Sequence, residues 1–156
     1  MPIDKDQFRR VLGHLAVGVT VVTTRSAEGT PHGLTVTSFT SLSLSPPLVL
    51  VCIDKTAESY DHFRSGVFAV NLLAEGQDVI SQRFAKSGGD KFSETDYRWG
   101  TTGAPILAGT LGCLECRIAH AYEGGDHTIF VGEVEAANAS TGEPLLYFRG
   151  AYRRLG

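Results

Sequence analysis

Gly33-Leu-Thr-Val-Thr-Ser-Phe-Thr-Ser-Leu-Ser-Leu-Ser45, closed by Pro46-Pro47, reads as a long alternating segment whose apolar face is interrupted half-way. Even positions carry Leu34 and Val36, then Ser38 and Thr40, then Leu42 and Leu44. Apolar side chains at every second residue mark a half-buried strand. Two hydroxyls on that face disturb the pattern, because a buried hydroxyl without a partner costs roughly 1 to 3 kcal/mol. Two readings stay open. The strand bends, through a bulge or a sheet crossing that turns Ser38 and Thr40 outward, or the hydroxyls and nearby amides face a polar ligand.

The flanking chain carries the same mostly β pattern. Val19 to Arg25, Leu48 to Asp54, Val67 to Leu72, Leu111 to Tyr122, Thr128 to Ala137 and Leu145 to Arg154 read as strands, several of them joined by Gly-rich turns. Helical periodicity is confined to residues 4–16, where Ile3, Phe8, Val11, Leu12 and Leu15 share a face, to a helix from about Thr56 to Arg64 with Thr56 as its N-cap, and to Gln77 through Lys86. A polar loop runs from Ser87 to Gly103. Helices are too few to alternate as βαβ units, so an antiparallel barrel with peripheral helices is the expected fold, built as one domain over residues 1–156.

Composition narrows function. The 156 residues are 42% hydrophobic with a formal charge of −3 and no block of like charge, which disfavours nucleic acid and anionic membrane surfaces as partners. Leu48 to Ile53, the longest apolar run, is far too short to span a bilayer, and the N-terminus lacks a signal-peptide layout, so a cytoplasmic protein is expected. No GxGxxG, GxxxxGK or GxSxG occurs, so Rossmann, P-loop and α/β-hydrolase chemistry lack their motifs. Cys113-Leu-Glu-Cys116 spells CxxC, but within a strand pattern its two thiols point to opposite faces, and no second ligand pair completes a metal site. No metal is expected.

Two further stretches depart from plain strand pattern. In Val51-Cys-Ile-Asp-Lys-Thr-Ala-Glu-Ser59, a buried strand runs into a lysine and hydroxyls at a helix start, a combination that suits either a solvated cap or a phosphate. In Glu123-Gly-Gly-Asp-His127, a hairpin turn delivers a histidine to the mouth of a strand, as a solvated first residue or as a functional one. His32, just after Pro31, is either solvated or near a dinucleotide, and His120 falls on the apolar side of its strand, where a hydrogen-bonded core histidine is expected.

Gly33 through Ser43, Pro46-Pro-Leu-Val-Leu-Val-Cys-Ile-Asp-Lys55, Phe68-Ala-Val-Asn-Leu-Leu73, Arg83-Phe-Ala85, Gly125-Asp-His127 and Phe148-Arg-Gly-Ala-Tyr-Arg-Arg-Leu155 occur in order along nearly the whole chain. Together they resemble the flavin reductase-like family. The resemblance implies an FMN-binding split β-barrel, a homodimer with flavin near the subunit interface, and reduction of FMN or FAD by NADH or NADPH, the reduced flavin passing to a separate monooxygenase. It assigns flavin contacts to Thr35, Val36, Thr37 and Ser38, extended by Ser41, and a backbone lining to Cys52, Ile53 and Asp54. It further has Lys55 and Ser59 reaching toward the phosphate, Phe84 packing near the cofactor, and Gly125, Asp126 and His127 serving nicotinamide binding and hydride transfer. A non-catalytic split-barrel carrier or sensor of flavin or another cofactor is the rival expectation.

Overall fold

The computed structural model describes residues 2–156. Along the chain come helix α1 (Lys5–Leu12), strands β1 (Val17–Gly18), β2 (Thr20–Arg25), β3 (Pro31–Val36), β4 (Phe39–Ser43) and β5 (Leu48–Asp54), and a 3-10 helix (Tyr60–Ser65). They are followed by β6 (Val67–Leu72), α2 (Asp78–Ala85), β7 (Tyr97–Trp99), β8 (Pro105–Leu107), β9 (Gly112–Gly124), β10 (His127–Ala139), β11 (Leu146–Phe148) and β12 (Ala151–Arg153). One seven-stranded sheet has the order β3-β2-β6-β9-β10-β5-β4, β7 pairs with β8, and β1, β11 and β12 form a small third sheet. Every pairing in the large sheet is antiparallel.

Sheet order explains the interrupted apolar face. β3 and β4 are separated in the chain by Thr37 and Ser38 alone, yet they are the two outer edges of the sheet. Such a link reaches only about 10 Å from Val36 to Phe39, so the sheet must roll until its edges meet. Ser38 fastens the seam. The Cys52 N–H donates to the Ser38 carbonyl (3.1 Å) and Ser38 Oγ donates to the Cys52 carbonyl (2.9 Å). The strand therefore bends at the hydroxyl positions, with Ser38 and Thr40 exposed, and the product is a split antiparallel barrel.

Alternation along the rolled strands sorts side chains between layers. Val22, Val36, Val51, Ile53, Phe68, Val70, Cys116 and Phe130 fill the barrel interior. Val21, on the opposite face from Val22, packs with Leu73, Phe84, Phe92 and Leu107 in a second layer that includes α2. A third cluster, Val67, Ala69, Ala104, Ile106 and Cys113, lies at the β8 strand. Cys113 and Cys116 thus belong to different clusters, as their spacing within a strand requires. Both thiols are free, and burial pushes that of Cys116 up to about 12. No group of potential metal ligands occurs among the described residues. Between the layers sits Asn71, fully buried: its Nδ2 donates to the Val21 carbonyl (3.0 Å) and to Thr23 Oγ1 (3.1 Å), and its Oδ1 accepts the Leu107 N–H (2.9 Å).

Several expected boundaries shift. The first helix spans Lys5–Leu12 rather than residues 4–16, and its apolar stripe faces solvent. Thr56 caps no helix: its N–H and hydroxyl both donate to Asp54 Oδ1 (2.8 Å each), and the following turn is the 3-10 helix from Tyr60. The last expected strand is a hairpin, β11–β12, reversed at Arg149-Gly150 with φ of 51° and 73°. His120 is exposed on β9, stacked against Tyr122 with ring centroids 5.5 Å apart, and is not a core residue.

Gly132 marks a close approach inside the barrel. A Cβ there would lie 2.6 Å from Phe68 Cζ and 2.7 Å from Cys116 Cβ, beside a register shift between Val131 and Gly132. Phe68 is fully buried and cannot retreat. Gly132→Ala is expected to destabilise the fold by about 1–3 kcal/mol, read as a lower urea midpoint with an unchanged slope.

Candidate functional site

The seam gathers sequence-distant pieces at the C-terminal end of β5. Ser38 is bonded to Cys52 there, His127 stands opposite Asp54 and Ile129 opposite Cys52 in the β10–β5 register, and the Lys55 N–H donates to the Asp126 carbonyl (3.0 Å). Residues directly opposite in an antiparallel pair share a face. Cys52, Asp54, His127 and Ile129, all half-buried, therefore form one outward-facing surface, while Ile53 and Thr128 point into the barrel. Ser38 and His127 border the same end of β5, its rim, whereas the Lys55 side chain turns to Glu123, which stands opposite Thr128 and so lies on the other face from His127.

Charge at this rim is organised by local hydrogen bonds. The two Thr56 donations hold the Asp54 carboxyl below the usual carboxylate range, with His127 adding a smaller effect of the same sign. His127 Nδ1 lies 2.8 Å from Asp126 Oδ1, which orients the imidazole. A two-residue turn, Gly125-Asp126, joins β9 to β10, with Gly125 at φ 72° in the first central position, where a type II′ turn takes glycine. Lys55 is paired with Glu123 from the end of β9, and that hydrogen bond raises the ammonium's pKa.

The candidate residues divide by what they can present. Thr37, Ser38, Ser41, Lys55, Gly125 and Asp126 are exposed, and Thr35, Cys52, Asp54 and His127 are half-buried. Val36 and Ile53 are core residues that offer backbone alone. The Thr35 hydroxyl is engaged, donating to the Ser81 carbonyl (2.6 Å). Ser59, buried, donates to the Gly33 carbonyl (3.2 Å), which ties the segment after β5 to the start of β3. Phe84 is buried against Phe92, and its ring fills the space a Cβ on Gly33 would need (3.1 Å), so it supports β3 from beneath.

Sequence spacing did not reveal a neighbouring cleft of about 370 Å³, lined by His32, Gly33, Glu58, Ser59, Gly89 and Lys91 among others. His32 forms one wall, its ring stacked on His62 at 3.8 Å between centroids and 17° between planes. The partners are thirty positions apart, on β3 and the 3-10 helix, and no spacing rule connects them.

The chain matches the model of the flavin reductase like domain over residues 12–156. It belongs to that family. Among flavin reductase relatives, the reductase component of 4-nitrophenol 4-monooxygenase/4-nitrocatechol 2-monooxygenase from Rhodococcus opacus is 43% identical over 97% of this chain and 81% of its own length. The FMN reductase (NADH) SmoA of Agrobacterium fabrum is 45% identical, over 95% of this chain and 84% of the relative. Among solved structures, the NADH:FAD oxidoreductase of Streptomyces globisporus C-1027, in complex with NAD and FAD fragments, superposes with a TM-score of 0.93 at 44% identity, covering 98% of this chain and 93% of that one.

Burial, then the nearby His62 and Lys91, lower the His32 pKa, against smaller opposing effects of Glu28 and Glu58. A histidine depressed in the folded state binds fewer protons than the unfolded chain. Its contribution to stability is present above the unfolded value near 6.5 and is lost as pH falls through the folded value. Melting temperature is expected to drop between about pH 7 and pH 5, and His32→Gln to flatten part of that drop; identical pH profiles for the two proteins would remove His32 as a cause.

Proposed function

We propose that this protein is an NADH-dependent flavin reductase that supplies reduced FMN or FAD to a partner monooxygenase. The observation that carries this reading is the placement of Ser38, Asp54 and His127 around the end of β5, in a chain that matches flavin reductases over four fifths or more of their own length. Those relatives favour the enzyme over a non-catalytic carrier or sensor. Both named electron donors among them are NADH, which favours it over NADPH.

The rim suits a planar, polar ring. β3 is an edge strand paired only with β2, so alternate backbone groups near Thr35 and Thr37 face away from the sheet, and their N–H groups are available as donors. Cys52 and Ile129 give the floor an apolar centre, with Asp54, Asp126 and His127 at its margin. Bound flavin supplies a hydride acceptor, and the protein supplies orientation and exclusion of water. In this reading Thr37 and Ser38 hold one edge of the ring through hydroxyl and amide groups. His127, fixed by Asp126, stands at the open side where nicotinamide enters, and the side-chain-free Gly124-Gly125 corner leaves that entrance clear. Its role is to position and to balance charge.

The remaining features of the proposal concern assembly and place. Residues 1–156 act as one flavin-binding domain. A homodimer is supported by the apolar side chains left in solvent: Phe8, Val11, Leu12 and Leu15 in and after α1, Leu42 on β4, and Leu44, 93% exposed. No helix among the described residues is long and apolar enough to cross a membrane, and we assign the enzyme to the cytoplasm.

Crossing FMN and FAD against NADH and NADPH while following loss of reduced nicotinamide tests the reaction; no oxidation with any pair would end the proposal. His127→Ala is expected to lower kcat/KM for NADH by about 10- to 100-fold with a much smaller loss of flavin affinity. Equal losses for both ligands would place the imidazole elsewhere.

A further inference from the structure

Resting on the flavin reductase reading, we infer that the Asp54 carboxylate makes flavin binding depend on redox state: the rim holds the neutral oxidised ring and sheds the anionic reduced one. The chemistry of the reaction supplies the first step. Hydride transfer moves two electrons and one proton from NADH to the uncharged isoalloxazine, and NAD+ departs, so the ring leaves the reaction with a negative charge. A reductase that supplies a second enzyme must let that anion go.

The second step is where charge stands on the surface that this reading assigns to the ring. Asp54, His127 and Gly124 form one lateral row across β5, β10 and β9, and Cys52, Ile129 and Tyr122 form the next. Neither row contains a lysine or an arginine. Asp54 Oδ1 accepts both the N–H and the hydroxyl of Thr56 (2.8 Å each), whereas Oδ2 accepts no hydrogen bond among the described residues. The half-buried carboxylate is thus fixed by one oxygen and leaves the other unpartnered. The Thr56 donations keep it ionised, and His127, across the row, is the one charged group among the described residues that acts on it. That imidazole is shared with Asp126, whose Oδ1 lies 2.8 Å from its Nδ1. Two carboxylates and a single imidazole leave the corner net negative, whether the imidazole is charged or neutral.

The third step is that nothing on this face offsets the charge. Lys55 follows Asp54 directly, but its ammonium is bonded to Glu123, which stands opposite Thr128 on the other face of β10. Lys91 lines the cleft at the start of β3 and neither of these rows. The edge amides near Thr35 and Thr37 are neutral donors that serve a ring in either state. Asp54 is what separates the two states. A fixed like charge at the margin of a partly exposed site disfavours the anion by about three- to tenfold in a binding equilibrium, and salt weakens the effect.

The test compares oxidised and reduced FMN on the same protein. Fluorescence titration gives the affinity for oxidised FMN, and anaerobic spectroelectrochemistry gives the midpoint potential of protein-bound FMN, so neither reading requires NADH. The unmodified protein is expected to hold FMN at a potential below that of free FMN. Asp54→Asn is expected to tighten the reduced form relative to the oxidised one about three- to tenfold, which raises the bound potential by about 15–30 mV. Asp54→Glu, which keeps the charge, is expected to retain most of the difference, and added salt to shrink it. Equal weakening of both forms in Asp54→Asn would leave the potential unchanged, make the residue structural and overturn the inference. So would a bound potential at or above that of free FMN in the unmodified protein. Absence of NADH oxidation would count against the proposed reaction, while the potentials would still decide the role of Asp54.

Discussion

Closure of the sheet at Ser38 is the constraint on which the rest depends. Two hydrogen bonds to Cys52 are worth only about 0.5–1.5 kcal/mol each in net stability, and the driving force for rolling the sheet is burial of Val22, Val51, Ile53, Phe68 and their neighbours. Apolar burial is non-directional, however, and does not select a register. The reciprocal pair at Ser38 does: it sets where the β3–β4 link crosses β5, and with it which residues of β5 lie beside the open edge of β3. Shifting that register by one residue would move Cys52 and Asp54 inward and put Val51 and Ile53 on the rim.

The rim inherits its chemistry from this alternation. β10 pairs along β5 so that His127 falls opposite Asp54, and a slip in either strand would separate them. The two long strands β9 and β10 extend beyond the core: from Arg117 to Gly124 no residue of β9 is buried. Their turn is tied down from outside the hairpin at two points, the Lys55 N–H to the Asp126 carbonyl and the Lys55 ammonium to Glu123. The cation expected to serve a ligand thus serves the hairpin that carries His127. Its position after β5 is what made it resemble a phosphate ligand, and the acid that occupies it comes from sixty-eight residues away.

Much of the architecture was legible because period-two patterns are local. The interruption at Ser38 and Thr40 offered a bend as one of two readings, and the bend is where the seam lies, while Cys113 and Cys116 were separable onto two faces by counting. What escaped has physical reasons. Three-residue strands such as β7 and β8 carry no periodic signal. Arg149 adopts a positive φ of 51°, a conformation common in glycine and rare in arginine, so the β11–β12 reversal was hidden within an apparently continuous strand. Thr56 has the chemistry of an N-cap but donates its proton to Asp54, a local competition that composition does not resolve. At the site, the segments around Ser38, Asp54 and His127 stood out in the sequence and the cleft did not, because it is built across β3, the segment after β5 and the loop after α2.

That loop shows how a flexible segment is given a fixed direction. Gly88 to Asp90 are exposed and lie outside regular secondary structure, so backbone entropy opposes any single conformation. Against it stand the Glu58 carboxylate at Gly88, the Asp90 carboxylate at Phe92 and Ser93, and the anchoring of Phe92 against Phe84 in the second layer of the core. Phe84 in turn lies under Gly33. One aromatic pair therefore couples the height of β3 to the position of the loop that faces it. A side chain that never reaches the surface thereby bears on the width of the cleft at which Lys91 stands, and this accounts for a buried phenylalanine at a position expected to pack near the cofactor.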